Sequence, residues 1–394
     1  MSDDDRPNGR TVALPAKRER PLREGAVARP RRFGNRPRRG RREPRRVRKR
    51  HRRLVGESGC GKTTLGKTAI GVQRPTEGKV LYRGQDVWET KESSGWFGGG
   101  KSAGEYSSSE IRRSLQMIHQ DPDSSLNSNY TVESSLADPL KHWQPEMSEA
   151  DRRARIYGLL EYVGMAPAED YANRYPHQLS GGEQQRVALI RSLLMNPDLI
   201  LADEAISALD VSLRAEMMDL MLELQEQFNT SYLYISHDLA NAKHLTQRAN
   251  GRIGIMYLGE LVEVGTPEQI IHDPQHPYTK VLLWATSDLR NRSEGVSDPP
   301  IRSLDIPTPT DPPSGCRFHT RCPEAREACT KECPSLTDHD GDGRRTACFR
   351  QQGNHEYWNS PPLSGEDLAE VVPRRRANRP RATDFELSTS QSHR

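Results

Sequence analysis

The sequence predicts an α/β fold with a parallel-sheet core, and three observations support this prediction. A phosphate-binding motif of the form G-x-x-x-x-G-K-S/T spans residues 56–63. An apolar segment that ends in two acids, "LILADE", occupies residues 199–204. From Leu54 to about Leu289, apolar strand-like runs alternate with helical patterns, as they do in α/β domains.

The N-terminus does not fit this fold. Residues 1–53 carry 21 Lys and Arg against 6 Asp and Glu, whereas residues 54–372 carry 31 against 46. The run from Arg29 to Arg53 has interspersed prolines and no apolar period. A parallel strand buried on both faces needs an apolar run. We therefore expect residues 1–53 to be disordered or out of frame and to contribute nothing to the fold. A basic nucleic-acid-binding arm is the alternative interpretation.

Hydropathy gives no sign of membrane insertion or secretion. No apolar stretch approaches the roughly 18 residues that a membrane-spanning helix needs. The first residues contain no apolar core of a signal peptide. We therefore expect the chain to be cytosolic.

The composition divides the rest of the chain into segments. Residues 290–311 are polar and contain several prolines, which predicts a linker. A small cysteine-containing module is expected at 312–350 and a polar tail at 351–394. The Gly/Ser-rich segment 93–110 is expected to be a loop insertion rather than part of the core.

Apolar patterning predicts the main elements. "LILADE" and "SYLYISHD" (231–238) are typical of buried parallel strands, and "AEMMDLMLELQEQF" (215–228) predicts the helix between them. The segment "SEADRRARIYGLLEYVGM" (148–165) has the apolar spacing of an amphipathic helix.

The phosphate-binding motif predicts contacts to a nucleotide. Its glycines let backbone N–H groups turn toward phosphate oxygens, and the next helix adds its N-terminal dipole. Lys62 is expected to reach the β- and γ-phosphates, and the Thr63 hydroxyl to bind Mg²⁺. The residues expected to contact the nucleotide here are Gly56, Glu57, Ser58, Gly59, Cys60, Gly61, Lys62, Thr63 and Thr64.

Two further segments carry candidate chemistry. The strand "LILADE" places Asp203 near the metal, and Glu204 next to it can act as the general base for the attacking water. Ser180, with Gly181 and Gly182, precedes a helical pattern, so its hydroxyl and the following amides can face an anion at a helix start. A plain N-cap is the alternative role for Ser180.

The stretch "LSGGEQQRVALIRSLL" (179–194) resembles the signature of ATP-binding-cassette (ABC) ATPases. The motifs occur in the order that this family shows: Walker A at 56–63, a Q-loop at Gln120, the signature, Walker B at 199–203, "SALD" at 207–210 and a switch histidine, His237. The resemblance implies a P-loop NTPase of the ABC cassette type, with a parallel-sheet core, a helical subdomain at about 121–178 and a C-terminal cysteine-containing module. The N-terminal part of the cassette is expected to be missing or corrupted.

This resemblance also implies residue roles. Two cassettes enclose two ATP molecules, with Ser180, Gly181 and Gly182 contacting the nucleotide held by the partner's Walker A, and with Asp210 beside it. Gln120 touches Mg²⁺ and the attacking water, and His237 holds the γ-phosphate and orients Glu204. Members of this family also have strands upstream of Walker A, with an aromatic side chain there that stacks on adenine. Residues 1–53 offer no such strand, so we expect weak ATP binding.

Three segments resemble the ATP-binding subunits of oligopeptide/dipeptide importers: "QMIHQDPDSSLNSNYTV" (116–132), "DPQHPYTKVLL" (273–283) and "SGCRFHTRCPEA" (314–325). The resemblance implies an ATPase at the cytoplasmic face of the membrane that energises solute import. Its partners would be a second ABC ATPase subunit, identical or different, two permease subunits and, indirectly, a solute-binding protein. The alternatives are a soluble ABC ATPase acting on nucleic acid or ribosomes, and an inactive remnant.

Five of the six cysteines lie between residues 316 and 348. In a cytosolic protein such clustering favours metal ligation over disulfides. Some members of the resembled family carry a 4Fe–4S cluster on this module, and four thiolates suit that cluster or tetrahedral zinc. The best-matching ligands are Cys316, Cys322, Cys329 and Cys348, with Cys333 as the extra cysteine. A module that packs around buried cysteines without metal is the alternative.

Overall fold

A computed structural model of the chain describes residues 52–93, 104–121, 125–239, 251–288 and 299–363. These described residues all belong to one compact unit. The expectations for residues 1–51, including a basic arm and a missing adenine-stacking aromatic, lie outside the described residues.

A seven-stranded sheet forms the core, in the order β4-β5-β6-β1-β7-β8-β9, beside a small β2–β3 hairpin. The first five strands of this order run parallel, and β8 and β9 are antiparallel to their neighbours. The strands are β1 Arg52–Val55, β2 Leu81–Tyr82, β3 Gln85–Asp86, β4 Leu115–Ile118, β5 Leu199–Asp203, β6 Ser231–Ser236, β7 Arg252–Tyr257, β8 Glu260–Gly265 and β9 Arg345–Thr346. The predicted strands at 199–204 and 231–238 are β5 and β6, and they pair in parallel as expected.

The α-helices of the described segments surround this sheet. They are α1 Lys62–Ala69, α2 Val87–Ser93, α3 Ser108–Ser114, α4 Val132–Trp143, α5 Glu149–Tyr162, α6 Ala168–Ala172, α7 Gly181–Leu193, α8 Val211–Phe228, α9 Pro267–His272, α10 Pro277–Asp288 and α11 Ala328–Lys331. None of the helices in the described ranges is long and apolar enough to cross a membrane. Helix α8 contains the predicted helix at 215–228.

Strand β1 begins earlier than the sequence predicts. Arg52 and Arg53 belong to it, in register with Leu233 and Tyr234 on β6. The Arg53 side chain is buried, and its guanidinium lies 5.0 Å from the centre of the Tyr234 ring. The expectation that residues up to 53 contribute nothing to the fold is therefore wrong at these two positions. Stacking on an aromatic face lets the sheet accept a cation that the apolar rule excludes.

Helices α4 to α6 pack with α7 in one apolar cluster. Helix α5 realises the amphipathic pattern predicted at 148–165. The Ser148 side chain caps it by accepting a hydrogen bond from the Asp151 N–H, and Ile156 and Leu160 are fully buried on its inner face. This group of helices stands between the end of β4 and the start of β5 in the chain, as expected for a helical subdomain.

Two boundaries differ from the sequence-based expectation. The polar tail was expected from residue 351, but Tyr357 and Leu363 are buried against the cysteine-containing module. The Tyr357 hydroxyl donates to the Glu324 carbonyl at 2.8 Å, so the packed module extends to at least Leu363. Within the Gly/Ser-rich segment, a capping box between Ser107 and Glu110 starts α3, so that the loop ends before residue 108.

Candidate active site

The phosphate loop connects β1 to α1 in a closed conformation. The Lys62 Nζ donates to the carbonyls of Gly56 and Glu57, each at 2.8 Å. Gly59 and Gly61 have φ angles of +79° and +97°, which favour glycine. The lysine head is therefore held across the loop, where the motif predicts the β- and γ-phosphates.

The turn between β7 and β8 supports the loop from behind. A Cβ at Gly56 would lie 2.2 Å from the Met256 carbonyl oxygen, so only glycine fits there. The Gly259 N–H donates to the Cys60 carbonyl at 2.9 Å. Cys60 is buried, and burial raises the pKa of its thiol. Its side chain therefore packs behind the loop as a small neutral group.

The phosphate loop (56–63) and the end of β5 meet at the carboxyl edge of the sheet. The Thr63 hydroxyl donates to Asp203 Oδ1 at 3.0 Å. Desolvation raises the pKa of Asp203, and a cation at this position would offset that effect. A hydroxyl and a carboxylate oxygen at this spacing are the hard ligands that Mg²⁺ prefers.

Glu204 and His237 also lie together at this edge. His237 follows β6, and its Nδ1 is 3.3 Å from Glu204 Oε1. Glu204 has a φ of +49°, an uncommon left-handed conformation for a residue with a side chain. Its N–H donates to the Ile235 carbonyl at 3.1 Å and holds it there. Backbone strain of this kind clusters at functional sites.

Gln120 follows β4 at the same edge, with its side chain exposed. The Gln185 side chain, buried in α7, donates to the Gln120 carbonyl at 3.1 Å. Gln185 was not among the residues predicted from the sequence, although it lies within the signature stretch 179–194. The contact ties the signature helix to the position of the Q-loop.

The signature and Asp210 both sit at helix starts. The Ser180 hydroxyl accepts from the Glu183 N–H at 3.3 Å, and the Glu183 carboxylate accepts from the Ser180 N–H at 2.7 Å. Ser180 is thus a capping residue, as its alternative role predicts. Asp210 Oδ1 caps α8 by accepting from the Leu213 N–H at 2.9 Å. Ser180, Gly181 and Asp210 are exposed to solvent.

The four best-matching cysteines converge on one small cavity of about 20 Å³. Burial raises the pKa of all four, to about 12 for Cys322 and about 11 for Cys348. Cys333 lies apart, with its thiol 3.3 Å from a Glu260 carboxylate oxygen. Over the described segments, no group of three or more His, Cys, Asp or Glu residues is arranged to hold a metal ion. The cluster thus supplies the donor types for a soft metal but no coordination geometry.

Family models agree with this site. A model described as "ABC transporter" matches residues 47–207, and one described as "Oligopeptide/dipeptide transporter, C-terminal region" matches residues 262–329. The chain belongs to the ABC transporter family of ATP-binding proteins. It is therefore an ABC ATPase, and the predicted fold class of the cassette is confirmed. Members of this family work with a second ATPase subunit and with membrane permeases.

Curated relatives are similar over most of their length. The chain is 41% identical over 286 residues to the oligopeptide transport ATP-binding protein AppF of Bacillus subtilis, covering 72% of this chain and 81% of the relative. It is 40% identical to the dipeptide transport ATP-binding protein DppF of Haemophilus influenzae, covering 75% and 84%. The oligopeptide transport ATP-binding protein OppF of Salmonella typhimurium is also 40% identical, with 72% and 79% covered.

Proposed function

We propose that this ABC ATPase energises the import of oligopeptides or dipeptides from the cytoplasmic face of the membrane. The match to the C-terminal region of peptide transporters and the names of the relatives support the substrate class. The ATPase part of this proposal is supported by two side-chain pairs that lie at one edge of the sheet, Thr63 with Asp203 and Glu204 with His237.

ATP binding is assigned to the phosphate loop. Backbone N–H groups between Ser58 and Thr64 face the phosphates, and Lys62 balances their charge. Thr63, Asp203 and Gln120 would hold Mg²⁺, which when bound neutralises phosphate charge. The loop is already closed around Lys62, so ATP would enter a largely formed site.

Hydrolysis is assigned to the two side chains beyond the metal position. Glu204 accepts a proton from the attacking water as the water approaches the γ-phosphate. His237, 3.3 Å from Glu204, orients that carboxylate and contacts the γ-phosphate. The fixed backbone of Glu204 limits the positions that its carboxylate can take.

The exposed signature residues are assigned to a second ATPase subunit. Ser180, Gly181 and Gly182 form the N-terminus of α7, a 13-residue helix whose dipole favours an anion. Facing the partner's nucleotide, this helix start would complete the partner's site. Asp210, at the start of α8, would lie at the same interface. An identical or a different second subunit satisfies this geometry.

A groove beside β4 is proposed to receive the permease. Its volume is about 310 Å³, and it lies between β4, α4 and α7. Its wall combines the apolar side chains of Met117 and Trp143 with three arginines, Arg112, Arg113 and Arg191. A cytoplasmic helix with an apolar face and an acidic side chain complements this surface. Ile118 lines the groove and lies two residues before Gln120 in the chain, so docking there can affect the proposed catalytic edge.

We predict that Arg112→Glu weakens association with the permease about tenfold or more, because it places a like charge opposite an acidic helix. Co-purification of the full chain with its permease from detergent extracts measures this, together with permease-stimulated phosphate release. Arg345→Glu is the matched control, since Arg345 is an exposed arginine on β9 at the opposite edge of the sheet. Equal binding by the two variants would contradict docking at this groove.

Metal binding by the cysteine cluster remains a separate proposal. Four thiols line one cavity, and the buried His319 Nε2 has no hydrogen-bond partner among the described residues. Binding would draw the thiols together as thiolates, reversing the neutral state that burial favours. We expect iron with sulfide, or zinc, in protein purified anaerobically, measured by elemental analysis and a visible spectrum. Protein without metal would support packing around neutral thiols.

A further inference from the structure

The side chain of Glu57 points from the phosphate loop into the C-terminal module. Its two carboxylate oxygens lie 3.2 and 3.1 Å from Arg321 Nη1. The Arg321 side chain is only 5% exposed, and Glu57 is 25% exposed. Tyr257 and Phe318 flank the guanidinium, with ring centres 5.8 and 5.9 Å from its central carbon. The ion pair is therefore largely shielded from water, where charge interactions are strong.

The backbone of Glu57 is held from the same side. Its N–H donates to the Tyr278 hydroxyl at 3.0 Å, and its carbonyl accepts from Lys62. Tyr278 is fully buried, and its own N–H donates to His276 Nδ1 at 3.1 Å. All three polar groups of Glu57 are thus engaged. Two of its partners, Tyr278 and Arg321, come from the region that matches the peptide-transporter C-terminal model.

Tyr278 is itself locked by a buried carboxylate. Glu263 on β8 is fully buried and accepts from the N–H groups of Gln275 and His276 at 2.9 and 3.1 Å. It also accepts from the Thr279 hydroxyl at 2.5 Å. These bonds fix the turn that leads into α10. The Tyr278 hydroxyl is therefore set in place before a nucleotide arrives.

This arrangement bears on ATP binding in two ways. The loop contains glycines with left-handed φ angles, and ordering such residues is costly in conformational entropy. Because Glu57 is already anchored, less of this entropy cost has to be offset by the free energy of ATP binding. In addition, a carboxylate on an anion-binding loop would repel the phosphates if it were unpaired, and Arg321 neutralises it.

We propose that Arg321 is a positioning residue for ATP: the C-terminal module holds Glu57 and thereby sets the shape and charge of the phosphate loop. The C-terminal module therefore contributes to nucleotide binding. Arg321 does not touch the nucleotide; it acts through Glu57.

The test compares the full-length chain with the variants Arg321→Met, Glu57→Gln and the double variant. We expect Arg321→Met to weaken MgATP affinity about tenfold or more, because the half-buried Glu57 carboxylate on the phosphate loop loses its partner. In steady-state hydrolysis the KM for ATP rises more than kcat falls. The double variant should recover most of the affinity, since removing the Glu57 charge removes the repulsion. Arg344→Met is the control, because Arg344 is a buried arginine of the same module that pairs with Asp273, away from the loop.

The outcomes separate positioning from general stabilisation. Rescue by Glu57→Gln, with Arg344→Met close to wild type, supports the proposal. Equal affinities of Arg321→Met and Arg344→Met, or a double variant that loses the sum of the two single effects, would overturn it. If Arg321→Met does not fold, the double variant and Arg321→Lys are compared with Glu57→Gln. A double variant that binds MgATP about tenfold more weakly than Glu57→Gln would then refute the proposal, because Arg321 would be acting without Glu57.

Discussion

Replacing Glu204 with Gln is expected to reduce ATP turnover about 100-fold or more while leaving ATP affinity nearly unchanged. The amide keeps the size of the side chain but cannot accept the proton of the attacking water. The phosphate contacts come from other residues, namely the loop and Lys62, so binding survives. Steady-state phosphate release and MgATP affinity, measured on protein paired with its transporter partners, check the two parts separately.

Glu216→Gln is a suitable control for this prediction. Glu216 lies on α8, is 62% exposed and pairs with Arg186 rather than with the catalytic edge. Its loss should change turnover little. Turnover by Glu204→Gln above about a tenth of wild type would contradict the assignment of Glu204 as the base, since a general base contributes roughly 100-fold or more.

Replacing Arg53 with Val is expected to stabilise the folded chain by about 1–4 kcal/mol. Arg53 is 4% exposed on a strand at the centre of the sheet, where burial of a charged group is costly. Valine has a β-branched side chain suited to a buried parallel strand and carries no charge. Urea denaturation of both proteins measures the difference. A less stable Arg53→Val would show that stacking on Tyr234 outweighs the burial cost.

The pH dependence gives a second check on Arg53. Desolvation by burial lowers the pKa of Arg53 to about 9, well below the ordinary value of an arginine. Below pH 9 the side chain is charged in both the folded and the unfolded state, so the cost of burying it does not depend on pH there. As the pH rises through 9, the folded state releases the proton more readily than the unfolded state, and the cost falls. The stability advantage of Arg53→Val should therefore shrink above pH 9, and an advantage that grows there would contradict the account.

The meeting of the motifs at one edge of the sheet could be predicted in part from the sequence, because two of them lie at the ends of strands with a clear apolar pattern. Lys62 and His237 follow β1 and β6, Asp203 ends β5 and Glu204 comes next, and the carboxyl ends of parallel strands share one edge of a sheet. The apolar patterns of β5 and β6 placed Asp203 and Glu204 at this edge, whereas the role of His237 came from the resemblance to ABC ATPases, and β1 was not predicted in full. The helix at 148–165 was predictable for the same reason, since its pattern is local.

The contacts behind the phosphate loop could not be predicted in this way. Tyr278 and Arg321 lie 221 and 264 positions from Glu57, and no period or spacing links them. Both residues lie in segments that indicated only the family of the chain, 273–283 and 314–325, and nothing in those segments indicated a contact with Glu57. Arg53 shows the opposite failure. The apolar rule excluded it from a buried strand, but β1 pairs with β6 and β7 from Arg52 onward, and the Arg53 guanidinium lies over the Tyr234 ring.

ATP-driven peptide uptake tests the central claim most directly. The full chain is reconstituted with its permease subunits in vesicles loaded with MgATP, and solute-binding protein and a labelled oligopeptide are supplied outside. We expect peptide to accumulate inside only with ATP and wild-type protein, and not with Glu204→Gln. Hydrolysis that proceeds without any peptide accumulation, or accumulation that persists with Glu204→Gln, would contradict the account.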